Sequence, residues 1–452
     1  MNRTIFREYD IRGVAERDLS DAAVQDIGRA FGSRLARRGR KTITLGRDCR
    51  LSSDRLRDAM AQGLQEAGID VVDIGIVPTP VLYFSIHQWK TDGGVMITGS
   101  HNPAEYNGFK LCDGPEALHG PEIQQIADIV DRRQFERGAG RMTSRDAIDA
   151  YKTMLVGRFA LPRGVRVVVD CGNGTASLVA ADVMERLGCR VSQLFCDMDG
   201  RFPNHHPDPT VETNLRDLVG RVTREGAELG IAFDVDADRI GVIDDQARVI
   251  WGDRLLILYA RDILNRQPGA TIISEVKCSQ TLYDDIARHG GRAIMWKTGH
   301  SLIKAKMKEE GAAAAGEMSG HMFFADRYFG YDDAIYAACR LLEIIAGSER
   351  SLSQMLSDLP RTYSTPEIRL DTEENKKFRI VEEATRYFSA QYETITVDGV
   401  RILFEDGTWG LVRASNTQPV LVLRFEAATE RRLSEVRELV ERKLKEIDAS
   451  IH

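Results

Sequence analysis

Four short segments bring together side chains that do chemistry in combination. Asp234-Val235-Asp236-Ala237-Asp238-Arg239 follows the apolar run Leu229-Gly230-Ile231-Ala232-Phe233. Carboxylates at alternate positions repel one another strongly where water does not screen them. A hard divalent cation, Mg²⁺ or Ca²⁺, removes that cost. Thr98-Gly99-Ser100-His101-Asn102-Pro103 follows Gly94-Val95-Met96-Ile97. A serine on a tight turn at a strand end suits a hydroxyl that carries a phosphoryl group. Lys110, a few residues on, adds a cation within reach of such a phosphate.

The other two segments offer binding groups. Gly316-Glu317-Met318-Ser319-Gly320-His321 supplies an acceptor, a hydroxyl and a switchable imidazole, as a ring of sugar hydroxyls requires. Histidine as a residue type titrates near neutrality, which makes His321 a candidate general acid or base. Arg413-Ala414-Ser415-Asn416-Thr417-Gln418-Pro419 combines an arginine fork, hydroxyls, an amide and turn N–H groups, the makings of a phosphate clamp.

Each segment has a plainer reading. Glycine, serine, asparagine and proline together make turns without any chemistry, and an acidic run can be a solvated loop. An EF-hand is excluded at the aspartates. Its loop needs glycine at the sixth position and glutamate at the twelfth, where this chain has Arg239 and Asp245. A phosphatase of the haloacid-dehalogenase type, with Asp234 as nucleophile after a strand, stays open. The joint occurrence of all four segments is what points to one site.

Three copies of one pattern position these segments: an apolar strand, a helix, a glycine and a second strand. The helices are predicted over 53–66, 176–187 and 281–289, ending at Gly68, Gly188 and Gly290. β-branched runs alternating with helical periodicity predict βαβ units with parallel strands. The closing glycines supply left-handed caps. Beyond the proline-containing stretch near 359–366 the pattern changes. A helix is predicted over 376–388, strands over 394–397, 400–404, 408–412 and 420–425, with Asp406-Gly407 as a hairpin turn, and a last helix over 430–447.

A chain of 452 residues is too long for one core. Apolar residues at 43% and charged residues at 29% are ordinary for a globular protein. A net charge of −7 leaves no footprint for nucleic acid or an anionic membrane. No apolar run approaches a bilayer span, and the first residues lack a secretory pattern. The 7 cysteines form no CxxC pair, which fits reduced thiols in a cytoplasmic protein.

With these motifs, and with Phe6-Arg7-Glu8-Tyr9-Asp10-Ile11-Arg12-Gly13 near the start, the chain resembles the α-D-phosphohexomutases, most closely the bacterial phosphomannomutase/phosphoglucomutase group. The likeness runs nearly end to end. It implies an α/β protein of three similar α/β domains with mixed or parallel sheets and a smaller α+β C-terminal domain, around a central cleft. The expected divisions are 1–150, 151–252, 253–364 and 365–452. It implies an isomerase that moves a phosphoryl group between the 1- and 6-positions of a hexose, mannose or glucose, through a phosphoserine and a hexose 1,6-bisphosphate.

Carried across by position, Ser100 matches the phosphoserine, and Asp234, Asp236 and Asp238 match Mg²⁺ ligands, with the serine phosphate as a further one. Arg12, His101, Lys110, Arg239 and His321 fall at catalytic positions. Tyr9, Lys277, His300, Glu317, Ser319, His321, Arg413, Ser415, Asn416 and Thr417 fall at substrate-binding positions. The expected partners are small sugar phosphates; monomer and homodimer are both compatible with the sequence. Relatives acting on glucosamine phosphate carry glutamine where this chain has Met318, and a non-catalytic sugar-phosphate sensor is the remaining alternative. The family's metal loop usually has glycine at the positions of Val235 and Ala237. A β-branched residue resists positive φ, so Val235 is expected to keep φ negative.

Overall fold

A computed structural model describes residues 2–416 and 418–449. Its strands form four sheets. The first has seven strands, the second five and the third four, and each mixes parallel and antiparallel pairs. The fourth, of six strands, is antiparallel throughout.

The βαβ pattern folds as the sequence dictates. Thr42–Arg47 pairs in parallel with Asp70–Ile76, Arg166–Asp170 with Arg190–Leu194, and Thr271–Glu275 with Arg292–Trp296. The helix between the first pair is Ser53–Glu66 and that between the third is Gln280–Arg288. Gly68, Gly188 and Gly290 sit at φ of +85°, +90° and +75°, the left-handed caps expected of them. The helix predicted over 176–187 is different. It is a 3₁₀ turn, Thr175–Leu178, followed by a helix, Ala180–Arg186. Thr175 spends both its N–H (2.8 Å) and its hydroxyl (2.9 Å) on the Val235 carbonyl, which ties that first turn to the aspartate loop.

A second unit repeats in the first three sheets. A parallel strand ends in a loop and returns as an antiparallel neighbour. Gly93–Ile97 returns as Tyr106–Asp113, Leu229–Phe233 as Ile240–Ile243, and Ala314–Gly316 as Met322–Phe324. Ser100, the aspartates and Glu317–His321 lie in these three connecting loops. Carboxyl ends of parallel strands are where α/β sheets place their ligands.

One continuous apolar core runs from Val81 and Phe84 beside the first sheet through Val167 and Ile231 to Ile272 and Phe324. The fourth sheet has its own core, built on Phe388, Leu423 and Phe425 under the helices Lys377–Ser389 and Glu430–Ile447. It meets the third sheet through a small apolar patch of Val276, Trp409 and Leu411. Arg401 crosses that junction fully buried. It donates to the carbonyls of Val276 (2.8 Å) and Cys278 (2.7 Å) and lies 3.8 Å over the Trp409 ring.

Arg401→Ala leaves both carbonyls buried and unpaired, at about 1–3 kcal/mol each. Calorimetry should then show the last ~90 residues melting as a separate, earlier transition; a trace unchanged from the parent would contradict the assigned role.

Candidate active site

The carboxylate loop is held by its own backbone. Asp234 Oδ1 accepts the N–H groups of Asp238 and Arg239, both at 3.1 Å, and Ala237 takes φ +56° to close the turn. Val235 is not in the left-handed region, as a β-branched residue requires. All three aspartates are completely buried, and their carboxylate oxygens lie within 4.8 Å of one another. Lys110 Nζ bridges Asp236 (2.9 Å) and Asp238, and the Thr79 hydroxyl donates to Asp236 at 2.5 Å. Burial, then the charges of Asp238 and Asp236, push the Asp234 carboxyl well above its usual range. Asp238 goes the other way: against burial, Lys110 and His321 hold it low. Burial favours a neutral lysine, yet Asp236 and Asp238 outweigh it and raise Lys110.

Lys110 alone does not satisfy this cluster. Asp236 Oδ1 and Asp238 Oδ1 are buried and accept no hydrogen bond. Orphaned carboxylate oxygens converging at this spacing suit a small hard divalent cation.

Ser100 stands at the mouth of that cluster. Its Oγ donates to Asp234 Oδ2 at 3.0 Å and lies 3.2 Å from His101 Nδ1. Its φ is +46°, a conformation that costs a non-glycine residue energy and is held only by its surroundings. Arg50 supplies that hold. Its side chain is fully buried and donates to the carbonyls of Ser100 (2.6 Å), Asn102 (2.6 Å), Pro103 (2.5 Å) and Tyr106 (3.1 Å), with Asp48 on its Nε. A Cβ on Gly99 would lie 2.7 Å from the Arg50 guanidinium carbon, so only glycine admits the arginine. Arg12 pairs with Asp10 and reaches Asn102 Oδ1 at 3.0 Å. Burial and the nearby Arg239 charge hold His101 neutral, well below its ordinary pKa.

The third loop docks on the second through a single bridge, Arg239 to His321. Arg239 Nε donates to His321 Nε2 at 3.0 Å, while His321 Nδ1 faces Asp332 Oδ2 at 3.2 Å and Asp238 Oδ1 at 3.6 Å. An arginine N–H can only donate, so Nε2 is the bare nitrogen and Nδ1 carries the hydrogen. Asp332 is itself anchored by Lys304 at 2.9 Å. His300 stacks on His321 at 5.7 Å and meets Tyr9 edge-on at 5.9 Å. Burial, then Lys304, holds His300 well below its ordinary pKa.

Ser100, His101, Lys110, Arg239, His321 and the three aspartates therefore form one contact network, and Arg12 reaches the Ser100 loop through Asn102. Glu317 Oε1 accepts the Gly299 N–H at 2.8 Å, and Ser319 lies half-buried between Glu317 and His321 on the same loop. Lys277 is turned to Glu367 (3.0 Å) rather than to any residue of this network. Arg413 pairs with Asp398 at 3.0 Å, and Ser415 Oγ accepts the N–H of Gln418. Asn416 Nδ2 reaches the Tyr9 hydroxyl. Thr417 lies outside the described residues. Sequence reasoning missed Arg50, Asp48, Thr79 and Asp332. No local signal marks out Arg50, Thr79 or Asp332, whose partners lie far along the chain.

All four domain models of the phosphoglucomutase/phosphomannomutase family match. Alpha/beta/alpha domain I covers residues 3–137, domain II 149–247, domain III 251–363 and the C-terminal domain 367–443. The chain is 47% identical over 451 residues to a phosphomannomutase/phosphoglucomutase of Pseudomonas aeruginosa, covering 99% of this chain and 97% of that one. It is 46% identical over 435 residues to a phosphoglucomutase of Neisseria gonorrhoeae, covering 95% and 94%. A crystal structure of a phosphoglucomutase/phosphomannomutase family protein from Burkholderia thailandensis superposes with a TM-score of 0.94 at 42% identity, covering 100% and 99%. Fold, site and comparisons thus define one class. The chain belongs to the phosphoglucomutase/phosphomannomutase family.

Removing the lysine from the aspartate cluster tests the electrostatic account. Lys110→Met leaves Asp236 and Asp238 uncompensated, a loss of about 3–5 kcal/mol without a cation. Thermal melts should show a lower melting temperature for K110M and a larger rise on adding Mg²⁺ or Mn²⁺ than in the parent. Equal rises would refute the charge balance drawn here.

Proposed function

We propose that this chain is a phosphohexomutase that interconverts the 1- and 6-phosphates of mannose, glucose or both, through phospho-Ser100 and a hexose 1,6-bisphosphate. The observation that carries this reading is the Ser100 hydroxyl, locked in a strained turn 3.0 Å from a carboxylate of the buried trio. The relatives' names and the family's general chemistry support it. We read the chain as divided at 150/151, 252/253 and 364/365, one loop of the site from each part.

Mg²⁺, held by Asp234, Asp236 and Asp238 with the serine phosphate as a further ligand, supplies charge neutralisation at the moving phosphoryl group when bound. The chain's own residues do the rest. Arg50 fixes the Ser100 turn, so Oγ starts in place and no orientational freedom is lost at the moment of transfer. The free hydroxyl of a hexose monophosphate attacks phospho-Ser100; its new O–P bond forms as Oγ–P breaks. The departing proton needs an acceptor, and His321 takes that role once its Nε2 lone pair is released from the Arg239 Nε–H that occupies it here. Lys110 and Arg239 carry the positive charge that the transferring oxygens require. Once the bisphosphate has turned around, the same steps in reverse load the second phosphoryl group onto Ser100.

Reorientation demands a binding side that accepts both ends of the sugar. Arg413, Ser415, Asn416 and Thr417 grip whichever phosphate is not moving, and Tyr9, Lys277, His300, Glu317 and Ser319 hold hydroxyls and the second phosphate. Ser100 is 3% exposed, which keeps water from the phosphoserine. The phosphatase alternative fits less well. Both Asp234 oxygens already accept hydrogen bonds, from two backbone N–H groups and from Ser100, so neither is poised to attack.

Peptide mapping of purified protein should find phosphate as a serine ester at Ser100. Ser100→Ala should lower interconversion by roughly three orders of magnitude or more. Chelation with EDTA should abolish turnover and added Mg²⁺ should restore it; an acid-labile aspartyl phosphate, or S100A at parent speed, would overturn the mechanism. Competition between mannose and glucose phosphates then settles the sugar.

A further inference from the structure

The dipeptide Thr298-Gly299 has four polar groups committed to four different residues. Thr298 N–H donates to Asp398 Oδ2 at 3.0 Å, and Thr298 O accepts the Tyr9 hydroxyl at 2.6 Å. The Thr298 hydroxyl donates to Glu275 Oε2 at 3.1 Å, and Gly299 N–H donates to Glu317 Oε1 at 2.8 Å. Gly299 sits at φ +131° with the Tyr9 ring against it, and a Cβ there would lie 2.4 Å from Tyr9 Cζ. No other residue fits this position.

Asp398 is the far end of this arrangement. The oxygen that accepts from Thr298 also accepts from Arg413 Nε at 3.0 Å. It lies in the turn between the strands Glu393–Ile395 and Val400–Leu403, followed by Gly399 at φ +78°. A Cβ on Gly399 would lie 2.3 Å from Val412 O and 2.8 Å from Arg413 Cα. Glycine there lets the turn run against the Arg413 strand and brings the carboxylate alongside the guanidinium. A bond to Nε fixes the rotation of the planar fork, and that rotation decides where its two Nη groups point.

We propose that Asp398 is the positioning residue of the phosphate clamp, and that Thr298-Gly299 links it to Glu317, so that the grips on phosphate and on sugar are set together. This rests on the reading of Arg413 and Glu317 as substrate-holding residues. Asp398 touches no substrate itself. It orients the arginine and shares a peptide segment with the carboxylate that receives the sugar hydroxyls. The two halves of the binding side come from different sheets, and this short segment is one hydrogen-bonded connection between them.

The full-length enzyme tests this by steady-state kinetics in both directions. Asp398→Ala should raise KM for the hexose 1-phosphate and for the 6-phosphate by the same factor, on the order of tenfold, because one clamp serves both orientations. Asp398→Asn keeps an oxygen for Arg413 Nε and for Thr298 N–H but loses the charge, and should raise both only about threefold. If D398A does not fold, D398N decides: an equal rise in the two KM values supports the role, and unchanged values overturn it. Glu317→Gln should cost less in the D398A background than in the parent, because the link is already broken. Fully additive losses overturn the link. Arg413→Ala is measured beside them. If R413A is impaired while D398A is not, the positioning role alone fails; if R413A is also unimpaired, the clamp reading fails and takes this proposal with it.

Discussion

Three aspartates at alternate positions, all without solvent, cannot hold three negative charges together unless positive charge is brought to them. The architecture supplies it from several directions. Lys110 comes from the return strand of the first sheet and Arg239 from the end of the aspartate loop itself, while His321 Nδ1 faces Asp238 across the bridge from the third. Two backbone N–H groups neutralise one oxygen of Asp234. What is left over is two buried oxygens without a donor, a pair that suits a hard cation. The serine hydroxyl sits beside this cluster, 3.0 Å from Asp234 Oδ2.

The same strand–loop–return unit, used three times, explains how so many groups converge. Each parallel strand delivers its loop to the carboxyl edge of its sheet, and one continuous core locks the sheets relative to one another. A rigid core then allows positions to be held within a fraction of an ångström, which transfer chemistry requires. The fourth sheet is built otherwise. It has a separate core and a narrow junction, and in the proposed reading its Arg413 loop binds rather than reacts.

Much of this was written in the chain's periodicity. Strands with β-branched runs, helices such as 53–66 and 430–447, and capping glycines were legible because each is fixed by local chemistry. The segments 98–103, 234–239 and 316–321, which the structure brings together, were legible because turns crowded with polar groups at strand ends are few. The helix over 176–187 misled because the bonds that reshape it run from Thr175 to Val235, 60 residues away. Arg50, Thr79 and Asp332 escaped for the same reason. A buried arginine that threads four carbonyls looks, in sequence, like any surface arginine after a strand.

The burial of Ser100 also limits who can write to it. The hydroxyl lies at the bottom of a junction between sheets, with Arg50 behind it and the aspartates in front. A protein kinase must wrap an extended peptide around its target residue, and this turn cannot be drawn out without dismantling the core. On the phosphoserine reading proposed above, a small sugar bisphosphate is then the donor to be expected, and a signalling kinase is not.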